Sequence, residues 1–314
     1  ITYIQKMEDF RILAINPGST STKIAVYQNM NPVFVKNITH PNEELAQFEH
    51  VADQFHFRKE IIYKELEEAD IEINKIQAVV GRGGMLKPIA SGVYQVNDAM
   101  KSDLYDHPIK EHASNLGGLI ADDIARALPD AKAYIADPVV VDELDEIARV
   151  SGHPLFKRIS IFHALNQKSI ARQHAKSIMK HYEDLNLIIV HMGGGITIGA
   201  HQKGKVIDVN QGLDGEGPFS PERSGTLPSG DLVRFCFSGK YSEKEVLKMV
   251  VGNGGIVAYL GTNSAYEAEQ RALNGDEQAK FVLEALAYQV AKSIGSMVPV
   301  LKGEVDAILL TGGV

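Results

Sequence analysis

The sequence predicts an α/β protein built from two duplicated domains, and three observations carry that prediction. First, residues 187–208, LIIVHMGGGITIGAHQKGKVID, read as three strands around a glycine tip. A short apolar, β-branched run (187–190) leads to Gly193, Gly194 and Gly195, a second strand (196–201) leaves them, and a Lys-Gly-Lys turn opens a third (206–209). Second, residues 12–27, ILAINPGSTSTKIAVY, follow the same grammar: setting Asn16 against His191 places Gly18 on Gly193, Thr22 on Thr197 and Ala25 on Ala200. Third, AVVGRGG at 78–84 is echoed by AILLTGG at 307–313. A glycine tip standing alone is more often simply a tight hairpin. Without Cβ atoms, though, backbone amides form a concave donor surface that suits phosphate oxygens. Two such tips facing each other predict a polyphosphate held in an interdomain cleft.

A chain of 314 residues is long enough for two buried cores. With 32 basic and 40 acidic residues its net charge is −8, which argues against a nucleic-acid or anionic-membrane surface, so no nucleic acid and no membrane are expected as partners. The one cysteine, Cys236, excludes a disulfide framework and is expected to be a small buried apolar residue in a reducing, cytoplasmic setting. No apolar run approaches the roughly 20 residues that span a bilayer, and the start lacks a signal pattern. Residues 1–6 read as a remnant ahead of Met7.

Between the first hairpin and its echo, 33–37 predicts a strand, and 42–70 one or two helices. A buried strand at 78–80 runs into Arg82-Gly83-Gly84; 88–96 reads as loop and short strand, 112–128 as a helix stopped by Pro129, and 132–136 as a strand closing on Asp137-Pro138. Turn chemistry at 151–154 sets the expected boundary, giving domains 1–153 and 154–314. In the second half, 161–182 predicts a helix, and 211–230, crowded with Gly, Pro and Ser, a long loop, ordered or disordered. A helix at 242–251 capped by Ser242, a glycine-rich turn at 252–261, a long helix at 279–298 and a last strand at 307–310 complete it. The first half continues past its paired glycines with a helix and strand, and the second does not. The natural protein is therefore expected to continue past Val314, leaving the second domain incomplete at its C-terminal end.

Four motifs in order, NPGSTSTK (16–23), HMGGG (191–195), ERSG (222–225) and LTGG (310–313), resemble the acetate kinase family. KEHASNLGG (110–118), DPVVVDE (137–143), SIFHALNQK (160–168) and DGEGPFSPERSGTLP (214–228) look more like its butyrate kinase branch. The resemblance runs from about Phe10 to Val314 and implies two duplicated ribonuclease-H-like domains of the actin and sugar-kinase type. It also implies transfer of the ATP γ-phosphoryl to a short-chain carboxylate, butyrate or a branched-chain acid, giving an acyl phosphate and ADP reversibly, with Mg2+. The implied partners are that acid and the nucleotide, and the implied assembly a homo-oligomer, a dimer or larger. A kinase of the same superfamily acting on a hydroxyl, or a nucleotide-gated scaffold without catalysis, remains the alternative.

The resemblance also implies roles. Arg82 holds the substrate carboxylate and Arg223 stabilises the moving phosphoryl group, both suited by a planar fork that pairs with two oxygens. His163 meets developing negative charge. Asp137 orients metal, arginine or water and is not a base, since a carboxylate is already ionised at neutral pH. Asn16 belongs to the metal site, Lys23 touches nucleotide phosphate, and His191, Met192, Gly193, Gly194, Gly195, Gly312 and Gly313 line the nucleotide. Gly194 departs from the asparagine of acetate kinases, and TNSAYE at 262–267 does not match the family's adenosine contacts. With an adenosine loop and a metal-site glutamate expected beyond Val314, this form is expected to bind nucleotide weakly and turn over little.

Overall fold

The computed structural model describes residues 9–106, 108 and 110–314, so residues 1–6 lie outside it. It divides into two compact units, one ending at Val140 and the other Val141–Val314.

The first unit is a mixed sheet with order β3-β2-β1-β4-β6-β5. Its strands are β1 (Arg11–Pro17), β2 (Ser21–Gln28), β3 (Asn31–Thr39), β4 (Ala78–Arg82), β5 (Val93–Gln95) and β6 (Lys132–Ala136). Among the described residues four α-helices accompany them: α1 (Asn42–Leu45), α2 (Phe55–Glu68), α3 (Asp98–Tyr105) and α4 (Asn115–Arg126). Leu13 and Ile15 of β1 are buried in alternation, as are Ile62 and Leu66 one turn apart on α2. Helix α4 sits unusually close to β4, because a Cβ on Gly81 would overlap the carbonyl of Gly117, and one on Gly84 would lie 2.6 Å from the Asn115 Cα. These glycines fix the strand end that carries Arg82. Helix α3 escapes the sequence reading: its apolar face is only Met100 and Leu104, one turn apart, although Asn97 caps it by accepting from the Met100 amide.

The second unit has the sheet order β10-β7-β8-β9, from β7 (Asn186–Met192), β8 (Ile196–Gln202), β9 (Lys205–Val209) and β10 (Ala307–Gly312). Its helices are α5 (Ala164–Ser177), α6 (Ser229–Cys236), α7 (Glu243–Val250), α8 (Ile256–Leu260), α9 (Ala265–Leu273) and α10 (Glu277–Val300). Strand β7 is covered on both faces: Ile188 and Val190 pack with Ile256, Val282, Leu286 and Val290, while Leu187 and Ile189 pack with Ala171, Ala175, Tyr182 and Leu185. That explains a continuous apolar run where a half-exposed strand would alternate.

Several expectations need correction. The compact units divide earlier than the turn at 151–154, because 141–150 packs against the second sheet. Val141 and Leu144 pack with Val206, Val209 and Phe162, and the Asp145 amide donates to the Ile207 carbonyl at 3.0 Å. Helix α5 ends at Ser177, and Tyr182 lies in a separate short turn with its ring buried. The loop after Gln211 is ordered and runs into α6, while 252–261 contains α8. Cys236 is exposed, not buried. Ser242 does cap α7, in a reciprocal box with Glu245.

Candidate active site

In the first unit, parallel pairing of Ile15 with Gly81 and of Arg82 with Ala136 puts Asn16, Arg82 and Asp137 at the same end of the sheet. Arg82 Nη1 donates to Asn16 Oδ1 at 3.3 Å, and Lys23 stands across from Asn16 on β2. Asp137 is buried with φ at 36°. Its Oδ1 accepts from Ser91 Oγ at 2.6 Å and the Gly92 amide at 2.9 Å, so this carboxylate pins the adjoining loop.

Beneath the hairpin tip is a group the sequence reading overlooked. Arg58 on α2 is 1% exposed, and its Nη1 donates to the Ser21 carbonyl and Thr22 Oγ1, both at 3.0 Å. Its Nη2 donates to the Ser19 carbonyl at 3.1 Å, and Gln54 Oε1 receives both Nε and Nη2. Burial lowers this guanidinium to about 10, and His40, bonded to Thr22 Oγ1 at 2.8 Å, is pushed down to about 4 by burial and then by Arg58. The acceptors around Arg58 are all neutral, so its charge is available to an anion at the tip. The overlooked signal is the charged residue in the stripe Arg58, Ile62, Leu66, at four-residue spacing.

In the second unit, His163 stands just ahead of α5 and His191 is the penultimate residue of β7, and their rings stack at 3.8 Å with an interplanar angle of 16°. His191 Nδ1 is 2.8 Å from Asn166 Oδ1, and His163 Nδ1 is 2.9 Å from Thr197 Oγ1. Parallel register sets Thr311 beside His191 and Gly312 beside Met192, and the Gly313 amide donates to the Met192 carbonyl at 2.8 Å. Gly312 has φ of +116° and its missing side chain would overlap that carbonyl, so glycine is required twice over. Met192, the tip glycines and the final pair are thereby gathered in one place.

Arg223 joins them. Its Nη1 donates to the Gly212 carbonyl, and its guanidinium fills the space a Cβ on Gly195 would take. Ser220 Oγ ties the loop to the tip through the Gly194 carbonyl at 2.6 Å. Arg223 Nε is buried and has no hydrogen-bond partner among the described residues. Burial lowers the pKa of this group, with Glu222 and Asp214 acting the other way. An orphaned cationic donor at a glycine tip is costly unless an anion completes it.

Among the described residues no three His, Cys, Asp or Glu side chains stand close enough to hold a metal ion. Asn16 is exposed and its amide oxygen keeps a lone pair beyond the Arg82 contact, which fits a hard cation that brings its other oxygens on phosphates and water.

The chain matches the acetokinase family over residues 155–314. It is 57% identical over 305 residues to butyrate kinase 2 of Clostridium acetobutylicum, covering 97% of this chain and 85% of that protein. Butyrate kinase 1 of the same organism is 55% identical, with 97% and 86% covered. The fold is like that of Porphyromonas gingivalis acetate kinase (TM-score 0.76, 19% identity, 97% and 83% covered). A Francisella tularensis propionate kinase is similar (TM-score 0.73, 22% identity, 97% and 84% covered). The stacked histidines, the glycine tip and the arginine crossing it thus sit in a chain that belongs to the acetokinase family and is a kinase phosphorylating a carboxylate from ATP.

Proposed function

We propose that the acid is butyrate or a branched-chain acid of similar size, that Mg2+ is the metal, and that the product is the acyl phosphate with ADP. The observation that carries the reading is Arg223, whose buried, unpartnered Nε lies at the glycine tip beside Gly195. Phosphoryl transfer spreads charge over equatorial oxygens, so catalysis is positioning and neutralisation, and an orphaned guanidinium donor supplies both.

In the second unit the amides of Gly193, Gly194 and Gly195, with Met192, His191, Gly312 and Gly313, hold the nucleotide, while Arg223 and His163 stabilise the moving phosphoryl group. In the first unit Arg82 grips the substrate carboxylate in its planar fork, and Lys23 neutralises phosphate charge. Asn16 is the residue that would meet the cation, whose chemistry is to neutralise phosphate charge. Asp137 acts through the loop it pins. A cytoplasmic, homo-oligomeric enzyme belongs to the same reading. Trapping acyl phosphate with hydroxylamine across acids from acetate to valerate tests it. Butyrate or a branched acid is expected to give the highest kcat/KM, and a maximum at acetate would overturn the assignment of the acid.

A further inference from the structure

A line of buried side chains leads away from His163 into the core, and the chemistry proposed above uses none of it. His163 Nδ1 is 2.9 Å from Thr197 Oγ1, Thr197 Oγ1 is 2.9 Å from Gln167 Nε2, Gln167 Oε1 is 2.9 Å from His201 Nε2, and His201 Nδ1 is 2.6 Å from Tyr182 Oη. Thr197, Gln167 and His201 are wholly buried and Tyr182 nearly so. Polar groups so placed must satisfy one another, which fixes the direction of each bond.

The direction starts at Gln167. Its Nε2 also reaches the Thr197 backbone carbonyl at 3.1 Å, and a carbonyl only accepts, so the amino end of the amide faces Thr197 and the oxygen faces His201. His201 Nε2 therefore donates. Burial and the nearby Lys168 cation push this imidazole down to about 3, so the ring is neutral and its Nδ1 accepts from the Tyr182 hydroxyl. Lys168 is itself buried, with Nζ 2.7 Å from Glu143 Oε2. At the other end, Thr197 Oγ1 accepts from Gln167, and its own proton needs an acceptor away from water. Its remaining hydrogen-bond partner among the described residues is His163 Nδ1. The hydroxyl donates there, and the ring proton of His163 is left on Nε2.

We propose that Tyr182, His201, Gln167 and Thr197 are positioning residues that hold His163 as its Nε2–H tautomer, so that it enters the reaction as a hydrogen-bond donor and not as a base. A donor stabilises a phosphoryl oxygen, whereas a lone pair would repel it. Gly199, in the middle of β8, supports the same design: a Cβ there would lie 2.5 Å from Gln167 Oε1 and 3.1 Å from His201 Nε2. A glycine inside a strand weakens it, and here it makes room for the pair. The inference rests on the proposed role of His163.

The test reads the tautomer directly. In protein labelled with 15N-histidine, the His163 ring signals, assigned by their loss in His163→Gln, are expected to show Nε2 protonated and Nδ1 bare. Thr197→Val removes the donor and is expected to release that tautomer. It should also lower kcat by about 10- to 100-fold, the usual effect of losing a supporting hydrogen bond, with KM for both substrates within about twofold. Thr197→Ser, which keeps the hydroxyl, is expected to restore tautomer and kcat. A proton on Nδ1 of His163 in the wild-type spectrum, or an unchanged tautomer in Thr197→Val, overturns the proposal. The wild-type spectrum needs no variant to fold and no substrate. A wild-type chain without acid-dependent turnover would therefore remove the proposed roles of these residues in catalysis and leave the tautomer assignment to stand or fall by itself.

Discussion

Gly195 and Arg223 share one space: a Cβ on Gly195 would stand 2.6 Å from the Arg223 Cζ and closer still to Nη1. A single methyl group therefore converts directly into displacement of the guanidinium. Gly195→Ala is expected to lower kcat by roughly 100-fold or more, the scale of losing one charge-stabilising donor, while thermal unfolding shifts by only a few degrees. Steady-state kinetics beside a melting curve checks this, and a variant with near-normal kcat would show that Arg223 is not held where the phosphoryl group moves.

Arg82 and Asn16 give a second expectation. Arg82→Lys keeps the charge and loses the fork that pairs with two carboxylate oxygens. KM for the acid is expected to rise about 10- to 100-fold, corresponding to about 1.4–2.8 kcal/mol, with KM for ATP much less affected. A rise confined to the KM for ATP would assign Arg82 to the nucleotide instead.

Beneath the first tip, Arg58 distributes its donors over Gln54, Ser19, Ser21 and Thr22. Lysine has three donors on one nitrogen and cannot reach all four partners, so buried acceptors are left unpaired. Arg58→Lys is expected to cost about 2–4 kcal/mol of stability, measured by urea unfolding, and a variant as stable as the parent would mean the tip stands without this brace.

His40 and His201 make stability depend on pH in a defined direction. Their folded values, about 4 and about 3, lie below the ordinary 6.5, so the unfolded chain binds more protons across that interval. Their contribution is fully present above about pH 6.5 and is lost as pH falls toward 4 and then 3. Melting temperature is expected to drop between pH 7 and pH 5, and the drop to be smaller in His40→Gln. Equal slopes in the two proteins would remove His40 from the account.

The sequence by itself determined the duplicated hairpins, the glycine tips, the order of the motifs and hence the family. Those features are local: strand runs, turns and a repeat are written in neighbouring residues. Thr22 and Thr197, matched on the sequence alone, both prove fully buried, each bonded to a histidine ring and to a second donor. Only the tertiary structure decided what those second donors are. Arg58 and Gln167 come from helices far along the chain, and whether a buried polar residue braces a tip depends on which acceptors the fold brings within 3 Å of it. The same holds for Gly195 and Gly199, which the sequence places at a hairpin tip and in a strand without showing what packs there, and which in the fold are the spaces that Arg223 and Gln167 require.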